Sequence, residues 1–276
     1  MNPPPRASVY EYRHANLKMK IHSDQLTVFQ QDALRRFEMD MVEHLRQFSP
    51  IHSDLMGDRA LRELIRFGAD QANRYGFSKR GPVRLYIELI FILGVDFDTD
   101  PQLPWTKEIL RDPNFSDQML RAKQLYERAL FYIERVTGPD YHLSRTAIGR
   151  VFQGRIVDSR VSAEYISDEV VEYLYGIHPQ KCEYVGRPVL HEIYRKALQL
   201  AEQHGIGCYS GVALCAGLML VFGHGFIHDP KIPWVSAVFA ARPAHEPETW
   251  LNEFYSLAMA YLTRIAEMAR GERLVY

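Results

Sequence analysis

The chain reads as an all-α protein, a tandem duplication of a roughly four-helix unit with the two copies pseudo-two-fold related. Three observations lead there. The segment Gly94 to Trp105 recurs at Gly223 to Trp234, and both read G-x-x-F-x-x-D-P-x-(L/I)-P-W. Each copy follows a long apolar run, Val83 to Leu93 (VRLYIELIFIL) and Val212 to Phe222 (VALCAGLMLVF). No segment shows convincing strand alternation bounded by hairpin turns; Val151 to Val161 comes nearest.

The elements follow in order. Residues 1–18 are Pro-rich and polar and are expected to form a flexible N-terminal extension. Ser23 or Asp24 can cap a first helix to about Gln47, with Leu26, Phe29, Leu34, Phe37, Met41 and Leu45 on one face. Ser49-Pro50 stops it. Asp58 can cap a second helix carrying Leu61, Leu64, Ile65, Ala69 and Ala72, with Gly76 as its C-terminal glycine. Pro82 falls near the start of the apolar helix that ends at Gly94. The repeated motif then makes sense as a corner. Phe97 folds back on the apolar helix, Asp100 caps, and Pro101 or Pro104 opens a short helix. Trp105 anchors that helix and brings one N–H to satisfy. A long helix from about Asp117 to Val136 should turn Leu120, Leu125, Tyr126, Ala129, Leu130, Tyr132 and Ile133 inward.

The set then repeats at an offset of 129 residues, the distance from Pro101 to Pro230. Val42-Glu43 matches Val171-Glu172, Pro50 matches Pro179, and Gly57 matches Gly186. Leu61, Glu63 and Arg66 match Leu190, Glu192 and Arg195. Beyond the motif, Tyr126, Ala129, Tyr132 and Arg135 match Tyr255, Ala258, Tyr261 and Arg264. The period exceeds that of solenoid repeats, so two units are expected rather than an array. The organisation is an extension over 1–18, a helical repeat over 19–136, a connector over 137–165 and a second repeat over 166–276. The structural motif is Gly94, Phe97, Asp100, Pro101, Pro104 and Trp105 in the first copy. Gly223, Phe226, Asp229, Pro230, Pro233 and Trp234 are its counterparts in the second.

Composition narrows the function. A net charge of −1 and an ordinary charged fraction argue against a nucleic-acid binder, which carries a basic excess. Neither apolar run approaches the ~20 residues that span a bilayer. The N-terminus has no apolar signal core. Cys182, Cys208 and Cys215 are an odd set without framework spacing, read as reduced thiols in a cytoplasmic protein.

Catalytic and metal templates are incomplete. Asp96, Asp98 and Asp100 have the 1-3-5 spacing of a calcium loop, but the sixth position is Pro101 and no Glu stands at the twelfth. His224 and His228 are four apart, but Gly223, Gly225 and Pro230 break the helix that would put them on one face. No phosphate loop and no nucleophile elbow occurs. Glu63 and Arg66, three apart on a helix, read as an ion pair. No cofactor is expected.

Three segments carry a resemblance: LRELIRFG (61–68), RLYIELIFILG (84–94) and DTDPQLPWTKEIL (98–110). They resemble uncharacterised bacterial proteins encoded in type VI secretion gene clusters, beside spike, PAAR-tip and effector-adaptor genes. The resemblance covers mainly 19–136 and implies a role in interbacterial toxin delivery. With the incomplete chemistry, it leads to a cytosolic protein-binding scaffold, an effector chaperone/adaptor or an immunity protein. Its partner is expected to be a neighbouring gene's product, and a homo-oligomer is possible. The alternative is an enzyme or toxin with a site between the repeats around His224, His228 and Asp229.

Overall fold

Glycines with positive φ punctuate the chain, and the helices run between them. The computed structural model describes residues 23–112, 117–153, 166–241 and 247–273. Every regular element among them is helical. The chain divides into two units, Met1–Phe37 and Glu38–Tyr276. The described part of the first is the opening of a helix, α1 (Ser23–Phe48), on which Leu34 is exposed rather than inward. The tail over 1–18 and the side chains of Leu26 and Phe29 lie outside the described residues.

In the second unit, α2 (Pro50–Arg74) is kinked where Gly57 takes φ 71° and ψ 166°. Such a conformation is accessible essentially to glycine alone. The segments about Gly186 repeat the arrangement as two helices, α8 (Pro179–Val185) and α9 (Arg187–Gln203), with Gly186 at φ 80° and ψ 157°. Gly76 and Gly205 end α2 and α9 alike: Phe77 N–H donates to Ala72 O at 3.0 Å, and Ile206 N–H donates to Ala201 O at 2.8 Å. These bonds tie off carbonyls that a helix end leaves without partners.

Next come the apolar helices, α3 (Arg80–Leu93) and α10 (Tyr209–Phe222). On α10 the face from Ser210 to Leu220 is buried all round, as a helix apolar on every side demands. After each helix comes a 3-10 turn, Phe97–Thr99 and Phe226–His228, and a short helix, α4 (Pro104–Leu110) and α11 (Pro233–Ala241). Phe97 folds back on Tyr86, ring centroids 4.9 Å apart. Trp105 is buried and meets Tyr132 at 6.4 Å; Trp234 is half-buried and meets Tyr261 at 6.0 Å. Both indole N–H groups are without a protein partner.

The long helices are α5 (Gln118–Thr137), capped by Asp117, and α12 (Pro247–Arg273). On α5, Leu125, Ala129 and Tyr132 are buried as expected, but Leu120, Tyr126 and Leu130 are exposed at 45%, 51% and 41%. The expected stripe was too wide. The buried side of α5, facing α3, α4, α6 and α8, holds Ala122, Leu125, Ala129, Tyr132 and Val136 at three- and four-residue steps. The expected connector also contains a helix, α6 (His142–Gln153), whose Ala147, Val151 and Phe152 are buried. It leads to α7 (Ile166–Ile177). Of the candidate strand Val151 to Val161, the first three residues are helical and the rest lie outside the described residues.

The two motif turns abut. A Cβ on Gly94 (φ 100°) would lie 2.3 Å from Phe222 O, and one on Gly223 (φ 91°) would lie 3.2 Å from Leu93 O. Only glycines let these backbones approach so closely. Gly57 needs its φ but has nothing within 4 Å of a Cβ. Gly57→Ala should therefore cost roughly 1–3 kcal/mol, the strain alone. Gly94→Ala adds a backbone clash and should cost visibly more, to the point of failing to fold. Urea melts of the two variants check this; equal losses would show that the close approach is unimportant.

Candidate functional site

Where the motif turns meet, side chains of each turn reach the helix that precedes the other. Asp100 is buried and accepts from the backbone N–H of Gln102 at 2.8 Å and of His224 at 2.9 Å. Gln102 Nε2 donates to the other half, to Met219 O on α10, at 2.8 Å. Asp229, equally buried, accepts from Lys231 N–H at 2.9 Å and pairs with Lys231 Nζ at 3.1 Å. Lys231 Nζ in turn donates to Ile90 O on α3 at 2.8 Å. Gln102 and Lys231 stand at the same 129-residue offset, and so do Ile90 and Met219. The crossings are thus reciprocal. Each supplies a second donor to a last-turn carbonyl that also accepts from the glycine ending its helix, Gly94 N–H on Ile90 O and Gly223 N–H on Met219 O.

Charge at the junction is balanced. Burial pushes the Asp100 pKa up, but hydrogen bonding and charge from His224, the Gln102 N–H and nearby Lys181 outweigh it and leave it lowered. Lys181 on α8 is buried, and its Nζ donates to Leu220 O. Burial lowers its pKa to about 8, opposed by the Asp100 charge. His52 on α2 is lowered by burial and by Lys231, opposed by Asp229. His178 caps α8, its Nδ1 accepting from Lys181 N–H at 3.3 Å. Burial and Lys181 bring its pKa down to about 4.

Beside this junction lies an open cleft of about 400 Å³, walled by Ala60, Leu64 and Phe67 of α2 with Val95 and Pro230 of the turns. Glu63, Asp96 and His228 are its titratable residues. Asp96 is held at φ 62°, in the left-handed region. Burial raises its carboxyl pKa, and the charges of His224 and His228 oppose that rise. A small apolar pocket with a few convergent polar groups is the usual form of a binding site.

The other sequence candidates part company. Asp98 is taken by Tyr75, whose Oη donates to it at 2.6 Å, so Asp96, Asp98 and Asp100 do not converge as calcium ligands. Among the described residues, no group of three or more His, Cys, Asp or Glu side chains is placed to hold a metal ion. His224 Nδ1 approaches Asp100 Oδ2 at 3.5 Å, while His228 opens into the cleft. Asp229 is occupied by Lys231 and faces neither histidine in an ion pair. Glu63 and Arg66 do not form the expected pair. Glu63 binds Arg59 at 3.0 Å, and Arg66 binds Glu38 at 2.7 Å, because a buried carboxylate on the neighbouring helix is a better partner than an exposed one.

Sequence reasoning missed Gln102, Lys231 and Lys181. The first two occupy the variable position after the motif's Asp-Pro, and the third stands 129 residues after His52; only the shared offset of the first two marks them. Comparison with protein-family models, curated proteins and solved structures found no match to this chain.

A pH dependence follows. A histidine whose folded pKa is about 4 and whose unfolded pKa is about 6.5 lets the unfolded chain take the proton first. Its contribution is complete above pH 6.5 and is lost as pH falls toward 4, on the order of 3 kcal/mol. His178→Asn keeps a capping acceptor and removes the titration. Urea melts of the variant should match the wild type within about 1 kcal/mol at pH 7.5. They should lack this part of the loss between pH 6.5 and 4, and an unchanged pH profile would refute the assignment.

Proposed function

We propose that this chain is a protein-binding scaffold made of two copies of one helical unit, related by a pseudo-two-fold axis, and that the cleft beside the junction grips a segment of another protein. The duplication is supported by the reciprocal donors Gln102 and Lys231 and by the matching kinks at Gly57 and Gly186. The cleft carries the binding reading. Phe67 is half-buried in its wall, and Glu63 and Asp96 give it two carboxylates against one histidine. Such a surface suits a segment that inserts an apolar side chain and brings a Lys or Arg beside it. Among the described residues no helix is long and apolar enough to cross a membrane.

The setting we propose is cytoplasmic, within an interbacterial toxin-delivery system of the type VI secretion kind. The partner is the product of a neighbouring gene, which the scaffold serves as effector chaperone/adaptor or neutralises as an immunity protein. The test is co-expression with each neighbouring product, followed by calorimetry on the complex. Phe67→Glu should weaken binding at least thirtyfold, about 2 kcal/mol, while leaving the melting curve within a few degrees. Tight binding that ignores this substitution moves the site elsewhere.

One observation favours the alternative, an enzyme: the partly buried carboxyl of Asp96, raised by burial and set near His224 and His228, is an acid–base arrangement in a cleft. In that reading Asp96 replaces Asp229, which Lys231 occupies. Turnover of a small molecule abolished by His228→Ala, with no neighbouring product bound, would favour it over the scaffold.

A further inference from the structure

The outer face of α5 carries more apolar surface than a solvated helix needs. Met119, Leu120, Tyr126, Leu130 and Phe131 are all exposed, between 41% and 51%. At 100° per residue they fall on one broad side of the helix, opposite the buried Ala122, Leu125, Ala129, Tyr132 and Val136. Ile92, at the end of α3, is exposed at 42% and shares a small cavity wall with Ile133 of α5, so the apolar surface continues off the helix. Charges stand among these residues: Lys123 and Glu127 pair along the helix at 3.7 Å and are both well exposed.

We infer that this face is the interface of a homodimer, in which α5 of one protomer packs antiparallel on α5 of its partner. The argument is the face's complementarity to itself. In an antiparallel pair about a two-fold axis, position i faces position j and j faces i. Place the axis at Leu125, so that facing positions add to 250. Leu120 then faces Leu130 and Met119 faces Phe131, each twice by symmetry. Lys123 faces Glu127, also twice. Tyr126 faces Gln124. Leu120, Met119, Leu130 and Phe131 thus meet apolar side chains, and Lys123 meets Glu127.

Neighbouring registers lose this. An axis at Glu127 sets Glu127 against its own copy, and an axis at Lys123 does the same with the lysines. Like charges opposed across a helix seam disfavour those two alternatives relative to the axis at Leu125. The face lies on a helix whose other side is held by α3, α4, α6 and α8, so its residues are presented on a fixed surface. The inference is independent of the cleft and its partner.

The test is a charge exchange across the axis, read by sedimentation equilibrium of the full chain from about 1 to 100 μM. The wild type should be a dimer in the upper part of that range. Lys123→Glu opposes Glu to Glu127 of the partner subunit, and Glu127→Lys opposes Lys to Lys; each should raise the dimer dissociation constant at least tenfold. The double variant Lys123→Glu/Glu127→Lys restores opposite charges and should return the constant to within about threefold of wild type. Both positions are solvent-facing, and circular dichroism should show unchanged helix content. Leu130→Glu should give a monomer throughout. A wild type that stays monomeric at 100 μM overturns the proposal and leaves the face to a different partner. So does a dimer indifferent to the single exchanges, or a double variant that fails to recover.

Discussion

Two helices that point their carboxyl ends at each other create the constraint on which the rest of this molecule depends. Ends of this kind carry partial negative charge and carbonyls without intrahelical partners. At the junction of α3 and α10 they are brought together until glycine backbones touch. Further donors reach carbonyls of these last turns: Lys231 to Ile90 and Gln102 to Met219, which also accept from Gly94 N–H and Gly223 N–H, and Lys181 to Leu220. Two of the three are cations. Asp100 and Asp229 then neutralise them in the interior, with backbone N–H groups fixing each carboxylate. Removing one member of such a buried set leaves its partner's charge uncompensated, which is costlier than never having had the pair.

The cleft arises where the two motif turns differ in sequence. Val95 and Asp96 line it in the first half, and at the same offset the second half has His224 and Gly225. A side chain at 225 would come within 2.8 Å of Asp96 Oδ2 and 2.7 Å of Val95 O. The glycine in one half thus makes room for the aspartate of the other. His228 stands opposite Thr99 by the same count, and it is His228 that opens into the cleft.

Much of the frame was legible in the residues. Helix ends fell where glycine, proline and a capping carboxylate put them: at Ser49-Pro50, at Gly76, at Gly94, and at Asp117, whose carboxylate takes Met119 N–H. The all-helical class followed from helical spacing of apolar residues and the want of strand alternation. What escaped had physical reasons. α6 lay in a stretch of turn residues, and its apolar positions are few. The outward residues of α5 have the spacing of inward ones, and only the neighbouring helices decide which stripe is covered. Arg66 chose Glu38 across a helix boundary that spacing within one helix does not reveal. Gln102 and Lys231 share no side-chain chemistry, so a comparison of identities passes over them although they do the same job. The titratable residues of the cleft, Asp96 and His228, were in view as candidates, but what joins them is tertiary.

The crossing bonds also set the order in which the chain can assemble. Gln102 and Met219 are 117 positions apart, and Lys231 and Ile90 are 141 apart. Most other helix pairings, such as α2 with α3 and α9 with α10, close loops of a few dozen residues at most. Loop-closure entropy makes the long connections the last to form, after the local hairpins have reached their own shapes. Until then Lys231 and Asp229 remain hydrated, and their desolvation falls at the end of folding. The crossings between the two motif turns therefore close late, and until they do the Leu220 carbonyl that Lys181 takes is left to solvent.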